Sequence, residues 1–209
     1  MKKISCAVMG VGMVMTIVIS NIFSVVNDGL ALESLRNDVL RLHILANSDS
    51  SYDQQLKICV RDALLENKDE IFGDADCIED AEEKARCNIK EIEETATEVL
   101  AQNGCMTTVT AEITNAYFES RTYGDITMPA GEYKTLRVKI GKAEGHNWWC
   151  VMYPPLCIPA ACDETITDDK SAEEKYFNDE QKDILCNPDK YEVKFALWEK
   201  FKSITNIKL

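Results

Sequence analysis

The sequence predicts an α+β domain, with a mainly antiparallel sheet and helices on one face, placed behind an N-terminal hydrophobic export segment. Three observations predict it. Apolar–polar alternation with a period of two marks Val39–Ala46 and Tyr133–Ile140, and Met106–Ser120, rich in Thr, Val and Tyr, and Trp148–Tyr153 also read as strands. Helical stripes fill the stretches between the first two strands and close the chain. The last three strands follow one another through turns, a connection that joins antiparallel neighbours. The predicted order is β-α-α-β-β-β-α.

The N-terminus is an address. Lys2 and Lys3 precede an uncharged run from Ile4 to Val26, and the first acid is Asp28. Basic residues stay on the cytoplasmic side, so the remainder of the chain is expected outside. The run is long enough to span a bilayer. Its most apolar piece, Cys6 to Ile19, has signal-peptide size, and the small residues Gly29 and Ala31 suit a signal peptidase. Residues 1–31 are therefore read as a signal peptide or membrane anchor.

Residues 32–162 form the expected α+β domain. After the strand at Val39–Ala46, the polar run Asn47-Ser48-Asp49-Ser50-Ser51 supplies turn and N-cap chemistry for a helix over Tyr52–Glu66. A second helix is expected over Ile78–Gln102, with its apolar stripe on Ala81, Ala85, Ile89, Ile92, Ala96, Val99 and Leu100. Gly104 stands where a left-handed C-cap belongs. Turns fall at Tyr123-Gly124-Asp125 and Pro129-Ala130-Gly131, and Pro154-Pro155 ends the last strand. Residues 163–190 read as an acidic excursion or linker, with a short helix capped by Ser171 and Glu174. Residues 191–209 read as a C-terminal amphipathic helix, in phase through Val193, Leu197, Phe201 and Ile204. Phe195 and Trp198 lie elsewhere on it and either pack inward or meet a partner.

Composition excludes several function classes. The chain has 209 residues, a net charge of −13, nine Cys and two His. That charge argues against nucleic acid, whose phosphates need a basic face, and against electrostatic docking on anionic lipid. Two histidines leave little room for a multi-His metal site. Asp49-x-Ser51-x-Asp53 lacks the Gly and the bidentate Glu of a calcium loop, and His146, Cys150, Cys157 and Cys162 lack the two tight pairs of a zinc site. No C-x-x-C, G-x-S-x-G, H-E-x-x-H or Walker sequence occurs. His43 lies mid-strand, where a satisfied histidine is the ordinary reading. No catalytic residue, cofactor or metal is expected. Among the cysteines, Cys59 follows an apolar stripe and reads as a buried thiol, whereas Cys87 faces away from one and is either paired or reactive.

Two blocks carry a family resemblance. The first is Arg41-Leu-His-Ile-Leu-Ala-Asn-Ser-Asp-Ser50, continuing through Asp53-Gln54, Lys57 and Val60-Arg61-Asp62. The second runs from Arg121-Thr-Tyr-Gly-Asp125 through Pro129-Ala-Gly-Glu-Tyr133, Leu136-Arg137 and Gly145-His-Asn-Trp-Trp-Cys-Val151 to Pro154-Pro-Leu-Cys157. Together they resemble the stage II sporulation protein R family of endospore formers. The resemblance implies a protein exported from the forespore into the space between forespore and mother cell, there or anchored in a membrane. It implies a partner, the membrane-embedded aspartyl protease of the mother cell that processes the sigma-E precursor. Contact with the membrane is expected only through the N-terminal segment.

The same resemblance frames the candidate site residues. Cys150 and Cys157 flank a strand end and a Pro-Pro turn and are the disulfide candidates, with two free thiols as the alternative. Trp148 and Trp149 face opposite sides of a strand, and the outward one is a candidate receptor contact. Asn47, Ser48 and Asp49 are partner-binding candidates besides capping a helix. The rival classes are a secreted cell-wall-active enzyme and a structural septal protein.

Overall fold

A computed structural model describes residues 2–73, 75, 77–123, 126–154 and 177–205. The chain enters through α1 (Lys2–Asn37) and passes into β1 (Leu40–Leu45). Four helices follow: α2 (Ser51–Glu66), α3 (Lys68–Phe72), α4 (Ile78–Cys87) and α5 (Ile89–Gln102). Then come β2 (Val109–Phe118), the short β3 (Arg121–Tyr123) and β4 (Ile126–Met128), β5 (Gly131–Ile140) and β6 (Asn147–Tyr153). Helices α6 (Asp179–Cys186) and α7 (Pro188–Thr205) close the fold.

The α+β class is as expected. The main sheet has the order β2-β5-β1-β6, and β3 pairs with β4 in a separate hairpin. Two of the three main pairings are antiparallel, β2 with β5 and β1 with β6. The third, β1 with β5, is parallel, which makes the sheet mixed. A parallel neighbour requires a long crossover, and the residues between β1 and β5 supply one containing α2–α5. The hairpin escapes the sequence pattern because three residues per strand are too few to display alternation.

Pleating divides β1 between two cores. Leu40, Leu42 and Ile44 face α2–α5 and pack with Leu56, Val60, Leu64, Ile92, Ala96 and Leu100, all 0–2% exposed. Each fully buried leucine or isoleucine contributes about 1.5–3 kcal/mol relative to an exposed one. On the other face Phe118, Tyr133 and Val151 pack with Leu35 and Val39 at the α1–β1 junction, with the hairpin, and with Ile184 and Leu185 of α6. Helices thus cover this second face as well, beyond the single helical layer the pattern predicts.

Local signals explain the element ends. Ser50 caps α2 by accepting the Asp53 N–H. The stretch predicted as one helix over Ile78–Gln102 breaks at Asn88, whose side-chain amide donates to the Ile71 carbonyl at 3.0 Å and fastens the junction to α3. At the end of α5, Gly104 takes φ +77°, Cys105 N–H bonds the Leu100 carbonyl and Gly104 N–H bonds that of Ala101, a Schellman closure. The helix predicted from Ser171 and Glu174 lies outside the described residues. Within 177–190, Asn178 and Gln181 form a capping box for α6.

Helix α7 leaves its in-phase row exposed, with Val193 at 71%, Leu197 at 51%, Phe201 at 42% and Ile204 at 75%, whereas Tyr191 and Trp198 are buried. Periodicity reveals that a helix has an apolar face without revealing what covers it. Here the covering element is α1, and it takes the aromatic side: the Trp198 ring lies where a Cβ on Gly29 would stand.

Candidate functional site

At one end of the sheet β1 and β5 finish and β6 begins, so the loops Ala46–Ser50 and Gly141–His146 meet there. Backbone bonds run from Gly145 N–H to the Ala46 carbonyl at 2.9 Å and from Glu144 N–H to the Asn47 carbonyl at 3.4 Å. Asn47 is the central fastener. Its Nδ2 donates to Asp53 Oδ2 at 2.9 Å while its Oδ1 accepts the Lys142 N–H at 3.1 Å. Gly141 sits against that side chain at φ +56°.

Around this seam the remaining polar groups are ordered. The Ser48 hydroxyl donates to Asp53, and its carbonyl accepts Gln54 Nε2 at 2.9 Å. Lys57, 5% exposed, reaches across to the His146 carbonyl at 3.0 Å and to Gln54 Oε1 at 2.6 Å. Burial pushes the Lys57 pKa down, and the Asp49 charge opposes that shift. Asp49 Oδ1 accepts the His146 N–H at 2.6 Å and pairs with the His146 ring at Nδ1. These bonds hold the Asp49 carboxyl below the usual carboxylate range, and the Ser48 and Asn47 side chains do the same for Asp53. With side chains 56% and 78% exposed, Asp49 and His146 form the outermost point of the tip.

The two tryptophans take opposite faces beneath the tip, Trp148 opposite Ile44 and Trp149 opposite His43 in the β1–β6 ladder. Both are half-buried. Trp148 packs on the α2–α5 core under the Arg61 guanidinium, 4.4 Å from its ring centroid. Trp149 stacks on His43 with centroids 3.9 Å apart and planes 10° apart, and meets Phe118 edge-on at 4.6 Å. Neither ring is a free-standing surface anchor.

His43 is the buried partner of that stack. Burial pushes its pKa down to about 4, reinforced by the Arg137 and Lys139 charges and opposed by the Asn147 side chain. The unfolded imidazole protonates near 6.5, so between those values the unfolded state holds more protons. Stability therefore falls as pH drops from about 6.5 to about 4, by on the order of 2 kcal/mol with allowance for residual solvent screening. In denaturant titrations at a series of pH values, His43→Gln is expected to flatten that slope. An unchanged slope would contradict this assignment.

Further down the same face Arg41 is fully buried, donating to the Tyr123 hydroxyl at 2.6 Å and lying 3.9 Å over the Phe118 ring. This ties the hairpin to the sheet. Beside it, a groove of about 1220 Å³ is lined by Arg36, Tyr117, Tyr133, Phe195 and Glu199 among others. Arg36 within it is already engaged with Glu199 and the Ala130 carbonyl.

Cys150 is buried, and Cys157 lies outside the described residues, so their proposed bridge does too. Among the described residues, Cys59, Cys77, Cys87 and Cys105 form no disulfide. Cys77 and Cys87 are exposed, and Cys59 is half-buried rather than buried as its stripe predicts. Brief alkylation of the native protein followed by peptide mass mapping is expected to modify Cys77 and Cys87 before Cys59 and Cys105. Among the described residues, no group of three or more His, Cys, Asp or Glu side chains is placed to hold a metal ion.

The structure brings Asn47, Ser48 and Asp49 together with Trp148 and Trp149 at one end of the sheet. The sequence makes those five site candidates, whereas it offers His146 only as a rejected zinc ligand and Gly145, Lys57 and Arg61 only as members of the blocks of resemblance. All four stand inside the quoted blocks, and their pairing across the seam depends on strand order, which no local pattern discloses.

The fold and the tip define an α+β domain carried on an apolar helix, with two fastened loops exposed at its far end. Residues 36–163 match the family described as stage II sporulation protein R (spore_II_R), and the chain belongs to that family. It is 34% identical over 157 residues to stage II sporulation protein R of Bacillus subtilis (strain 168), covering 74% of this chain and 70% of that relative. No solved structure matches it significantly. Its role is in sporulation, and α1, long and apolar enough over Met9–Asn37 to cross a membrane, fits export or membrane anchoring.

Proposed function

We propose that this protein is an intercellular signal of sporulation. Made in the forespore and exported to the space facing the mother cell, it switches on the membrane-embedded aspartyl protease that cleaves the sigma-E precursor. It acts by contact, and the tip is the contacting surface. The observation that carries this reading is convergence: the two blocks of family resemblance, with Asp49 and His146 97 residues apart, close on one exposed point.

The electrostatics of the tip favour contact over catalysis. A general acid needs a raised carboxyl pKa, whereas Asp49 and Asp53 are both lowered by hydrogen bonds. The nearby hydroxyls are engaged too: Ser48 donates to Asp53, and Ser50 accepts its N–H. Neither donates to the His146 ring. An ordered, ionised rim suits recognition of a partner.

Reconstitution tests the proposal. The cognate protease and sigma-E precursor are expressed in a non-sporulating bacterial host with and without this chain, and precursor size is followed. Processing that appears only with the exported chain is the expected result. Confirmed export without processing contradicts it and brings forward the cell-wall enzyme, whose assay is turnover of purified peptidoglycan.

A further inference from the structure

The groove of about 1220 Å³ lies at the end of the sheet opposite the tip, where β2 finishes, β5 begins and α1 meets α7. It exceeds the roughly 300–1,000 Å³ of a small-molecule site. Its charges are unevenly spent. The three cations of its lining are all ion-paired: Arg36 with Glu199 at 2.6 Å and Glu33 at 2.9 Å, Lys202 with Glu33 at 2.7 Å, and Lys134 with Glu82. The lining carboxylates of Glu132, Asp189 and Glu192 are exposed, and none meets a cation or a hydrogen-bond donor among the described residues. Aromatic rings stand beside them. Tyr117, 59% exposed, is opposite Glu132 in the β2–β5 ladder, and Phe195 follows Glu192 by nearly one turn of α7.

One wall of this groove is an edge of the sheet. Among the described strands β2 pairs only with β5, in an unbroken register from Val109–Ile140 to Phe118–Gly131. The Ala111 N–H points away from β5, to Glu93 Oε1 at 2.8 Å. Antiparallel alternation then turns the N–H and C=O of Ile113, Asn115 and Tyr117 the same way, where no strand receives them. Asn115 and Tyr117 also line the groove with their side chains. The floor holds a further unmet donor: Arg36, 7% exposed, spends its terminal nitrogens on Glu33, Glu199 and the Ala130 carbonyl, and its Nε has no acceptor.

We propose that the groove and the β2 edge together bind an extended segment of a partner protein that carries lysine or arginine side chains. Its backbone adds to β2 beside Asn115 and Tyr117, and its cationic side chains enter the groove to meet Glu132 and Glu192 beside the Tyr117 ring. Charge complementarity selects this occupant. The unspent acids call for cations, and the lining keeps no unpaired cation for an acidic segment. A free metal or ammonium ion would satisfy the acids but leave the strand edge and the Arg36 Nε unmet, whereas a peptide brings its own N–H and carbonyl groups. The site stands at the other end of the sheet from the Asp49–His146 pair, so it is independent of what the tip contacts.

The full-length chain in non-ionic detergent micelles is titrated against a fluorescein-labelled decapeptide of alternating lysine and threonine, and binding is followed by anisotropy. The matching glutamate–threonine peptide and spermidine are the comparison ligands. The lysine peptide is expected to bind saturably, the glutamate peptide to stay free, and spermidine at equal charge concentration to leave the lysine peptide bound. Reversing both unspent acids, Glu132→Lys with Glu192→Lys, is expected to weaken binding at least about tenfold. The same change of net charge outside the groove, Glu66→Lys with Glu94→Lys, is expected to weaken it less than about threefold. Asn115→Pro removes an outward N–H at an edge position where proline is tolerated, and is expected to weaken binding about fivefold beyond Asn115→Ala. No saturable binding of the lysine peptide overturns the proposal. Equal weakening by the two double reversals assigns binding to the overall charge of −13 and overturns the site. Displacement by spermidine assigns the acids to free cations, and equal binding by Asn115→Pro and Asn115→Ala overturns strand addition.

Discussion

Gly145→Ala is expected to lower stability by about 2–3 kcal/mol, seen as a fall of roughly 6–10 °C in Tm, and to abolish precursor processing. A Cβ on Gly145 would stand 2.2 Å from the Ser48 carbonyl oxygen, 2.5 Å from its carbon and 3.0 Å from the Ala46 Cβ. These are backbone and core atoms that cannot swing aside as the end of a long side chain would. The loops must separate instead. That loses the Gly145–Ala46 bond and disturbs the Asn47–Lys142 bond and the Asp49–His146 pair. Thermal unfolding together with the processing assay checks both effects. Wild-type values in both would mean that the seam is not what forms the tip.

Trp149→Ala is the second large effect, at about 3 kcal/mol for the loss of a half-buried ring that packs on His43 and Phe118. It carries a signature that a simple cavity would lack. Removing the stacked ring admits water to His43, so its pKa is expected to climb from about 4 back toward 6.5. NMR titration of the His43 ring reads this directly. A pKa still near 4 in the variant would show that Trp149 does not provide the burial. Because the substitution disturbs the fold, loss of processing in Trp149→Ala would not by itself identify a receptor contact.

The sequence made much of this architecture legible, for identifiable reasons. The strand at Val39–Ala46 alternates cleanly because one face meets α2–α5, and Ser50 and Gly104 act through local backbone chemistry that neighbouring residues determine. The Asn88 break was hidden because the apolar stripe continues in phase across it. The parallel pairing of β1 with β5 was hidden because it is a relation between strands separated by four helices. At α7 the helix was legible and its orientation was not, since Gly29 on a distant element decides which aromatic side can dock.

The candidate site divides in the same way. Asn47, Ser48 and Asp49 stood out through their capping chemistry and the family resemblance. Their second role, fastening Gly141–His146, depends on the sheet order that places β5 and β6 on either side of β1. The Trp148–Trp149 pair was correctly divided between two faces by the strand period. Arg61 and His43, which cover the two rings, come from other elements, and no sequence pattern links them to the tryptophans.

The central claim is that the exposed tip is what the protease reads, and Asp49→Arg tests it most directly. Asp49 is a rim residue whose contact with His146 lies in solvent, so reversing its charge is expected to leave folding and export intact. The measurement is precursor processing in the reconstituted host, at matched levels of exported wild type and variant with Tm determined alongside. The account predicts processing reduced at least about tenfold with Tm within about 3 °C of wild type, as for a rim charge placed against a complementary partner. Full processing by an exported, folded Asp49→Arg protein would contradict it.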